Sequence, residues 1–210
     1  TYEWFLGGVP QTAYTASSVP SSATSKGEQW MVRVTPNDGI ADGDSGEATI
    51  TISNTEPTLS SLSITPSSGV YNDIALTCSV VVTDPDETLT PTYEWSIGTT
   101  VVGSGSTLDL STTGVLPEEV VTCSVSVVDS DGATASDSTT TTIENRLPTV
   151  DSVSLSPTTV YTNDTITANA TFLDDDGQSV SAEYAWHVID SATGTDRYPN
   201  FRKFRAECFF

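Results

Sequence analysis

The chain has 210 residues, with 28 acidic and 7 basic side chains and a formal net charge of −21, and a surface that acidic repels nucleic acid and anionic lipid while attracting cations. Hydrophobic residues make up only 36%; with Ser and Thr abundant and helix formers scarce, the composition predicts an all-β protein with thin sheets. No apolar run approaches the roughly twenty residues of a membrane-spanning helix, so membrane insertion is not expected.

The first strand is expected at Tyr2-Glu3-Trp4-Phe5-Leu6, where Tyr2, Trp4 and Leu6 alternate onto one face. Trp30, Val32 and Val34 share a parity further on, before the turn sequence Val34-Thr35-Pro36-Asn37-Asp38-Gly39 and the acids Asp42 and Asp44. Ile52-Ser53-Asn54-Thr55-Glu56-Pro57 then reads as a short stiff connector, because proline cannot extend a β-ladder. In the middle of the chain Ile74, Leu76, Cys78, Val80 and Val82 alternate, followed by Asp84, Asp86 and Glu87; Tyr93, Trp95 and Ile97 make the next inward row. Val121, Cys123, Val125 and Val127 make another, ending in the turn Asp129-Ser130-Asp131-Gly132. A second connector, Ile143-Glu144-Asn145-Arg146-Leu147-Pro148, precedes a last set of runs that includes Asp174-Asp175-Asp176 and a strand with Tyr184, Trp186 and Val188 inward.

These elements repeat. Trp4, Trp95 and Trp186 are each 91 positions apart, as are Asn54 and Asn145, Pro57 and Pro148, and Ile64 and Leu155. Tyr71 to Asp86 matches Tyr161 to Asp176 at an offset of 90, which aligns Asp84 and Asp86 with Asp174 and Asp176. A period this long implies small domains with cores of their own rather than a solenoid. The repeated aromatics, Tyr2, Trp4, Tyr93, Trp95, Tyr184 and Trp186, are therefore assigned to structural cores.

The order inward Cys78, inward Trp95, inward Cys123 resembles the cysteine, tryptophan and cysteine of immunoglobulin-like sandwiches. The Tyr-x-Trp strand, the Asp-Gly turns and the Asn-to-Pro connectors look like the tandem immunoglobulin-like and PKD-like repeats of large bacterial cell-surface or secreted proteins. The resemblance covers residues 1 to about 190, although Trp95 is followed by Ser96-Ile97-Gly98 rather than the Asp- and Gly-rich run usual in PKD repeats. It implies tandem immunoglobulin-like antiparallel β-sandwiches, one complete and two partial. Residues 1–54 would be the C-terminal part of a repeat (strands C to G), 55–146 a complete repeat, 147–190 the N-terminal part of a third (strands A to C), and 191–210 an irregular non-repeat tail. Thr1 falls inside a repeat, so the chain is read as a piece of a longer protein. Under the resemblance Cys78 and Cys123 form a cross-sheet disulfide packed on an indole, which implies an extracellular or cell-surface setting; two buried free thiols are the alternative.

The chemistry on offer is sparse. Acids gather at predicted turns, and because two of those turns should emerge at one end of a sandwich, Asp84 and Asp86 can meet Asp129 and Asp131. Asp174 and Asp176 form the equivalent of the first pair. Such clusters make calcium a candidate ligand, against the plainer reading that Asp and Gly are good turn formers. No other cofactor is expected. The single histidine, His187, alternates with Trp186 and has no nucleophile beside it, so no enzyme activity is expected. The tail after Asp190 holds Arg197, Arg202, Lys203 and Arg205, four of the seven basic residues, leaving Lys26, Arg33 and Arg146 for the rest; it reads as a basic-aromatic contact motif or as an end without a fold.

The expected function is a non-enzymatic structural and adhesive spacer, calcium-stiffened if the acidic ends bind the ion, whose partners are neighbouring repeats and other cell-surface proteins or glycans. The alternative is an accessory carbohydrate- or protein-binding module of an extracellular enzyme, with Tyr14, Trp30, Tyr71 and Tyr161 as the aromatics left for a binding platform.

Overall fold

A computed structural model describes residues 1–186 and, as backbone, the strand Phe204–Glu207. The expectations for His187, Val188 and most of the tail lie outside the described residues. Among the described residues, apart from two 3-10 turns, Ser21–Ala23 and Leu110–Thr112, the regular structure is all strand, arranged in several antiparallel sheets of the β-sandwich class.

The chain forms two compact units. The first comprises Thr1–Thr65, Thr77–Leu108 and Thr122–Thr140; the second comprises Pro66–Leu76, Asp109–Val121 and Thr141–Phe210. This division differs from the division by repeat, and each connector between repeats lies inside one unit.

In the first unit, β1 (Tyr2–Leu6), β2 (Val9–Pro10), β3 (Gln29–Val34) and β4 (Gly46–Thr51) make a sheet in the order β2-β1-β3-β4. The β1–β2 hairpin closes through Gly7 and Gly8, both at positive φ (56° and 85°), the backbone that a two-residue hairpin loop demands and that glycine adopts without strain. Two further sheets follow, whose strands belong mostly to this unit, with residues 75–76, 109, 120–121 and 141–142 assigned to the second. β5 (Thr58–Thr65), β6 (Ala75–Thr83) and β9 (Thr107–Asp109) lie in the order β5-β6-β9; β7 (Thr92–Ile97), β8 (Thr100–Ser104), β10 (Val120–Val128) and β11 (Thr134–Thr142) lie in the order β11-β10-β7-β8. Strict alternation buries Leu76 and Cys78 on β6 and Val121, Cys123, Val125 and Val127 on β10; of the residues between them Thr77 and Ser126 are exposed, and Thr122 and Ser124 half-buried. A Cys78–Cys123 disulfide joins β6 to β10 across a sequence separation of 45, so of the two readings of these cysteines the bonded one holds.

Trp95 on β7 has no exposed surface, and its indole N–H donates to Gly105 O at 2.9 Å, which satisfies the ring's polar atom inside the core. A Cβ on Gly103 would lie 2.7 Å from Leu108 Cδ1 and 3.8 Å from Trp95 Cβ, so the absence of a side chain there lets Leu108 close against the strand pair.

In the second unit, β12 (Thr149–Ser156) pairs antiparallel with β13 (Thr167–Leu173), with a register shift between Val150 and Ser152. β14 (Ser181–Tyr184) pairs antiparallel with β15 (Phe204–Glu207), so part of the tail expected to be irregular is a strand. Val70, Leu76, Leu110, Val115, Val121 and Ile143 are its buried apolar residues. The 3-10 turn at Leu110 is capped by Asp109, whose carboxylate accepts from the Ser111 amide at 3.0 Å.

Of the six repeated aromatics expected in cores, only Trp95 is fully buried. Trp4, Trp186, Tyr93 and Tyr184 are half-buried, and Tyr2 is 39% exposed. The reason for Tyr2 is local: the cover over the β1 sheet is the loop carrying Tyr14 and Ala16, which reaches Trp4 and Trp30. Trp4 donates its indole N–H to Ala16 O at 2.9 Å, and the Tyr14 and Trp4 rings meet Trp30 edge-on at 5.9 and 6.4 Å. Trp30, held by Glu28 Oε2 at 2.9 Å and only 3% exposed, is the buried aromatic of that sheet and is removed from the platform candidates.

Candidate functional site at the repeat connectors

The acids singled out in the sequence gather where the connectors run, and most of their oxygens are already engaged by the chain. In the loop after β6, Asp84 Oδ1 accepts the amides of Asp86 (2.7 Å) and Glu87 (3.2 Å), a local turn that sets Asp86 facing the connector. Asp86 Oδ2 then accepts the amide of Thr55, the residue after the connector's Asn54, at 2.6 Å. Asn54 Nδ2 in turn donates to Asp129 Oδ2 at 2.7 Å, while Asp129 Oδ1 accepts the amides of Asp131 (3.0 Å) and Ala133 (2.7 Å). Asp129 is only 6% exposed, and the Asn54 bond followed by these amides holds its carboxyl below the usual range.

Glu87 and Lys26 complete this first connector. Glu87 Oε1 accepts both the amide (3.0 Å) and the hydroxyl (2.7 Å) of Ser130, so the loops holding Asp84 and Asp131 do meet. The Lys26 ammonium enters that meeting point, bonding Asp131 Oδ2 at 2.5 Å, Ser130 Oγ at 3.0 Å and Glu87 Oε1 at 3.2 Å. Its pKa is raised, chiefly by the Asp131 bond, and that of Glu87 is lowered, chiefly by Ser130. Two oxygens here, Asn54 Oδ1 and Asp84 Oδ2, are buried and accept no hydrogen bond from the described residues.

The second connector repeats the central bonds. Asp174 Oδ1 accepts the amide of Asp176 at 2.9 Å, and Asp176 Oδ2 accepts the amide of Arg146, the residue after Asn145, at 2.5 Å. Asp176 is 4% exposed and also offers its backbone carbonyl to Asn72 Nδ2 at 2.9 Å. The Arg146 guanidinium bonds Asp73, donates to Asp175 O at 3.2 Å, lies 3.5 Å from Asp176 Oδ1, and stacks 4.3 Å from the Tyr71 ring centre. Its pKa is raised, first by Asp73. Tyr71, a candidate platform aromatic, is thereby occupied, whereas Tyr161 is 78% exposed.

Among the described residues no group of three or more His, Cys, Asp or Glu side chains is placed to hold a metal ion, and no helix is long and apolar enough to cross a membrane. Sequence reasoning singles out the acids and passes over Lys26, Arg146, Ser130, Asn72 and Asp73. The signal that points to the first two is their rarity, since the first 190 residues contain only three basic side chains. Surface grooves elsewhere include one of about 680 Å³ lined by hydroxyl and acidic groups including Thr92, Glu94, Ser126 and Asp137, and one of about 360 Å³ lined by Tyr2, Trp4, Phe5, Tyr14, Gln11 and Arg33 among others. Comparison with protein-family models, curated proteins and solved structures gave no match.

Proposed function

We propose that this chain is a non-enzymatic structural and adhesive spacer of a large extracellular repeat protein, its immunoglobulin-like repeats presenting a partner-binding region away from a surface. The observation that carries the reading is the recurrence of one joint. In both connectors the amide after the repeated Asn is held by the second acid of an Asp-x-Asp loop, itself set by the first acid, at 2.6 and 2.5 Å. A joint kept from copy to copy serves a chain whose repeats must be held to one another, which a spacer requires and an independent binding domain does not. The disulfide supports an oxidising, extracytoplasmic setting. Small-angle scattering on tandems of two, four and six middle repeats tests the proposal: the maximum dimension rises in proportion to repeat number for a spacer, and a dimension that levels off with a compact profile rejects it.

The groove lined by Tyr2, Trp4 and Tyr14 favours a second reading, an accessory carbohydrate-binding module, because half-exposed aromatics beside Gln11 and Arg33 suit a sugar face and its hydroxyls. Glycan-array binding that is lost in Trp4→Ala would support it; an array without signal removes it.

A further inference from the structure

We propose that Lys26 and Arg146 are equivalent parts: each is the protein's own cation at one repeat joint, standing among the acidic loops where a bound metal ion would otherwise be needed, although the two are not aligned in the repeat. The inference rests on the spacer reading and specifies what holds the joint together.

The two cations come from different places in the repeat. The position 91 after Lys26 is Pro117, and the position 91 before Arg146 is Thr55, so neither cation has a copy at the other joint. The acids, by contrast, do recur: Asp84 and Asp86 return as Asp174 and Asp176. The recurring acid pair is engaged by backbone amides at both joints, while the cation beside it comes from different sequence positions and meets different acids: Lys26, from the turn before β3, meets Glu87 and Asp131, and Arg146, from the connector itself, meets Asp73 and Asp176. Each joint thus has one cation of its own, and each cation bridges parts distant in sequence. Lys26 ties to Glu87 and Asp131, 61 and 105 positions away. Arg146 ties to Asp73, 73 positions back, and to the Asp175 carbonyl, 29 positions on.

The placement is far from what a solvated surface charge would adopt. The side chains of Lys26 and Arg146 are 24% and 21% exposed, against 40% for Arg33, which lies between Glu3 and Glu47 on the β1–β3–β4 sheet. Of the carboxylates that Lys26 and Arg146 meet, Asp176 and Glu87 are 0% and 28% exposed, and there burial raises the cost of being left unpaired, because a charge shielded from water loses hydration that only a partner replaces; Asp131 and Asp73, at 50% and 55%, keep much of theirs. The acid spacing suggests calcium at these loops; an ammonium and a guanidinium supply positive charge at the same places with no metal.

The test is charge removal followed by charge exchange, read by amide hydrogen exchange of the full chain. The reporters are the Thr55 amide for the first joint and the Arg146 amide for the second, each as a protection factor, which corrects for the substituted side chain. Lys26→Glu is expected to lower Thr55 protection about fivefold while leaving the Cys78 amide, bonded to Ser106 O at 2.8 Å, unchanged; adding Asp131→Lys is expected to restore it. Arg146→Gln should lower protection at position 146 without affecting Thr55. Millimolar calcium should leave the unsubstituted chain's protection as it was. Unchanged Thr55 protection in Lys26→Glu, failure of the exchanged pair to restore it, or a gain in wild-type protection with calcium would each overturn the proposal. If Lys26→Glu unfolds the chain, Arg146→Gln decides by itself: lowered protection at position 146 supports the proposal and unchanged protection overturns it. None of these outcomes depends on how a tandem scatters, so the joint cation and the spacer reading fail separately.

Discussion

Replacing both Cys78 and Cys123 with alanine removes a constraint whose size follows from the chain. The bond closes a loop of 45 positions, and the chain-entropy treatment gives about 4 kcal/mol for a loop of that length at 25 °C, by limiting the conformations open to the unfolded chain. A domain of this size has a total stability of about 5–15 kcal/mol, so the bond accounts for a large share of it. Both sulfurs sit in buried rows, flanked by Leu76 on β6 and by Val121 and Val125 on β10; shortening the side chains adds a small packing loss in the same direction. At about 4–8 °C per kcal/mol for a 60–100-residue domain, the transition that includes β6 and β10 should melt about 15–30 °C lower. Scanning calorimetry of the oxidised chain and the Cys78→Ala/Cys123→Ala variant measures this, with reduction of the unsubstituted chain by dithiothreitol as a parallel arm. A loss below about 1 kcal/mol in both arms would contradict the entropic account, since it would mean the unfolded chain is not appreciably confined by this loop.

Two further outcomes are expected. Glu87 and Asp129 have carboxyls held below their ordinary values in the first joint, where Asp84, Asp86, Asp131 and Lys26 are the other charged groups; a lowered folded-state pKa gives stability that is full above the unfolded value and lost as pH falls through the folded one, so Thr55 amide protection should hold from pH 8 to about 5 and decline below about 4, and a flat profile down to about pH 3 would show that these carboxylates do not hold the joint. Gly103→Ala puts a methyl 2.7 Å from Leu108 Cδ1, and the forced shift in a packed core should cost about 1–3 kcal/mol in urea unfolding; an unchanged midpoint would show that Leu108 has room to move.

The strands were legible because their signal is local. Alternation at Leu76 and Cys78, and at Val121, Cys123, Val125 and Val127, fixes both the strand and its buried face, and those burial patterns appear in the structure residue by residue. The aromatic repeat was legible as a period but misleading as a burial rule. Tyr2 has the parity of Trp95's strand, yet burial depends on what lies across the sheet, and for β1 the cover is a loop whose reach to Trp4 and Trp30 no spacing encodes. The joints were half legible. Asp-x-Asp motifs announce turns, but whether their second carboxylate takes a metal ion or a backbone amide depends on the path of the connector, and Thr55 and Arg146 supply that amide through tertiary placement.

The scarcity of positive charge gives the joints their weight. At physiological ionic strength charges further apart than about 8 Å are largely screened, so most of the net charge of −21 is dispersed repulsion that salt weakens and that keeps the surface hydrated. Buried carboxylates such as Asp129 and Asp176 are another matter, because salt reaches them poorly and groups in contact must offset them. At both joints those groups are a backbone amide aimed at one carboxylate oxygen and a cation, and at the first also an asparagine, Asn54, on Asp129. With three basic side chains in its first 190 residues, a chain that commits two of them to the loops around Thr55 and Arg146 concentrates its limited positive charge there. The scarce cations are thus engaged in these loops, where Lys26 bridges residues 61 and 105 positions away and Arg146 residues 73 and 29 positions away.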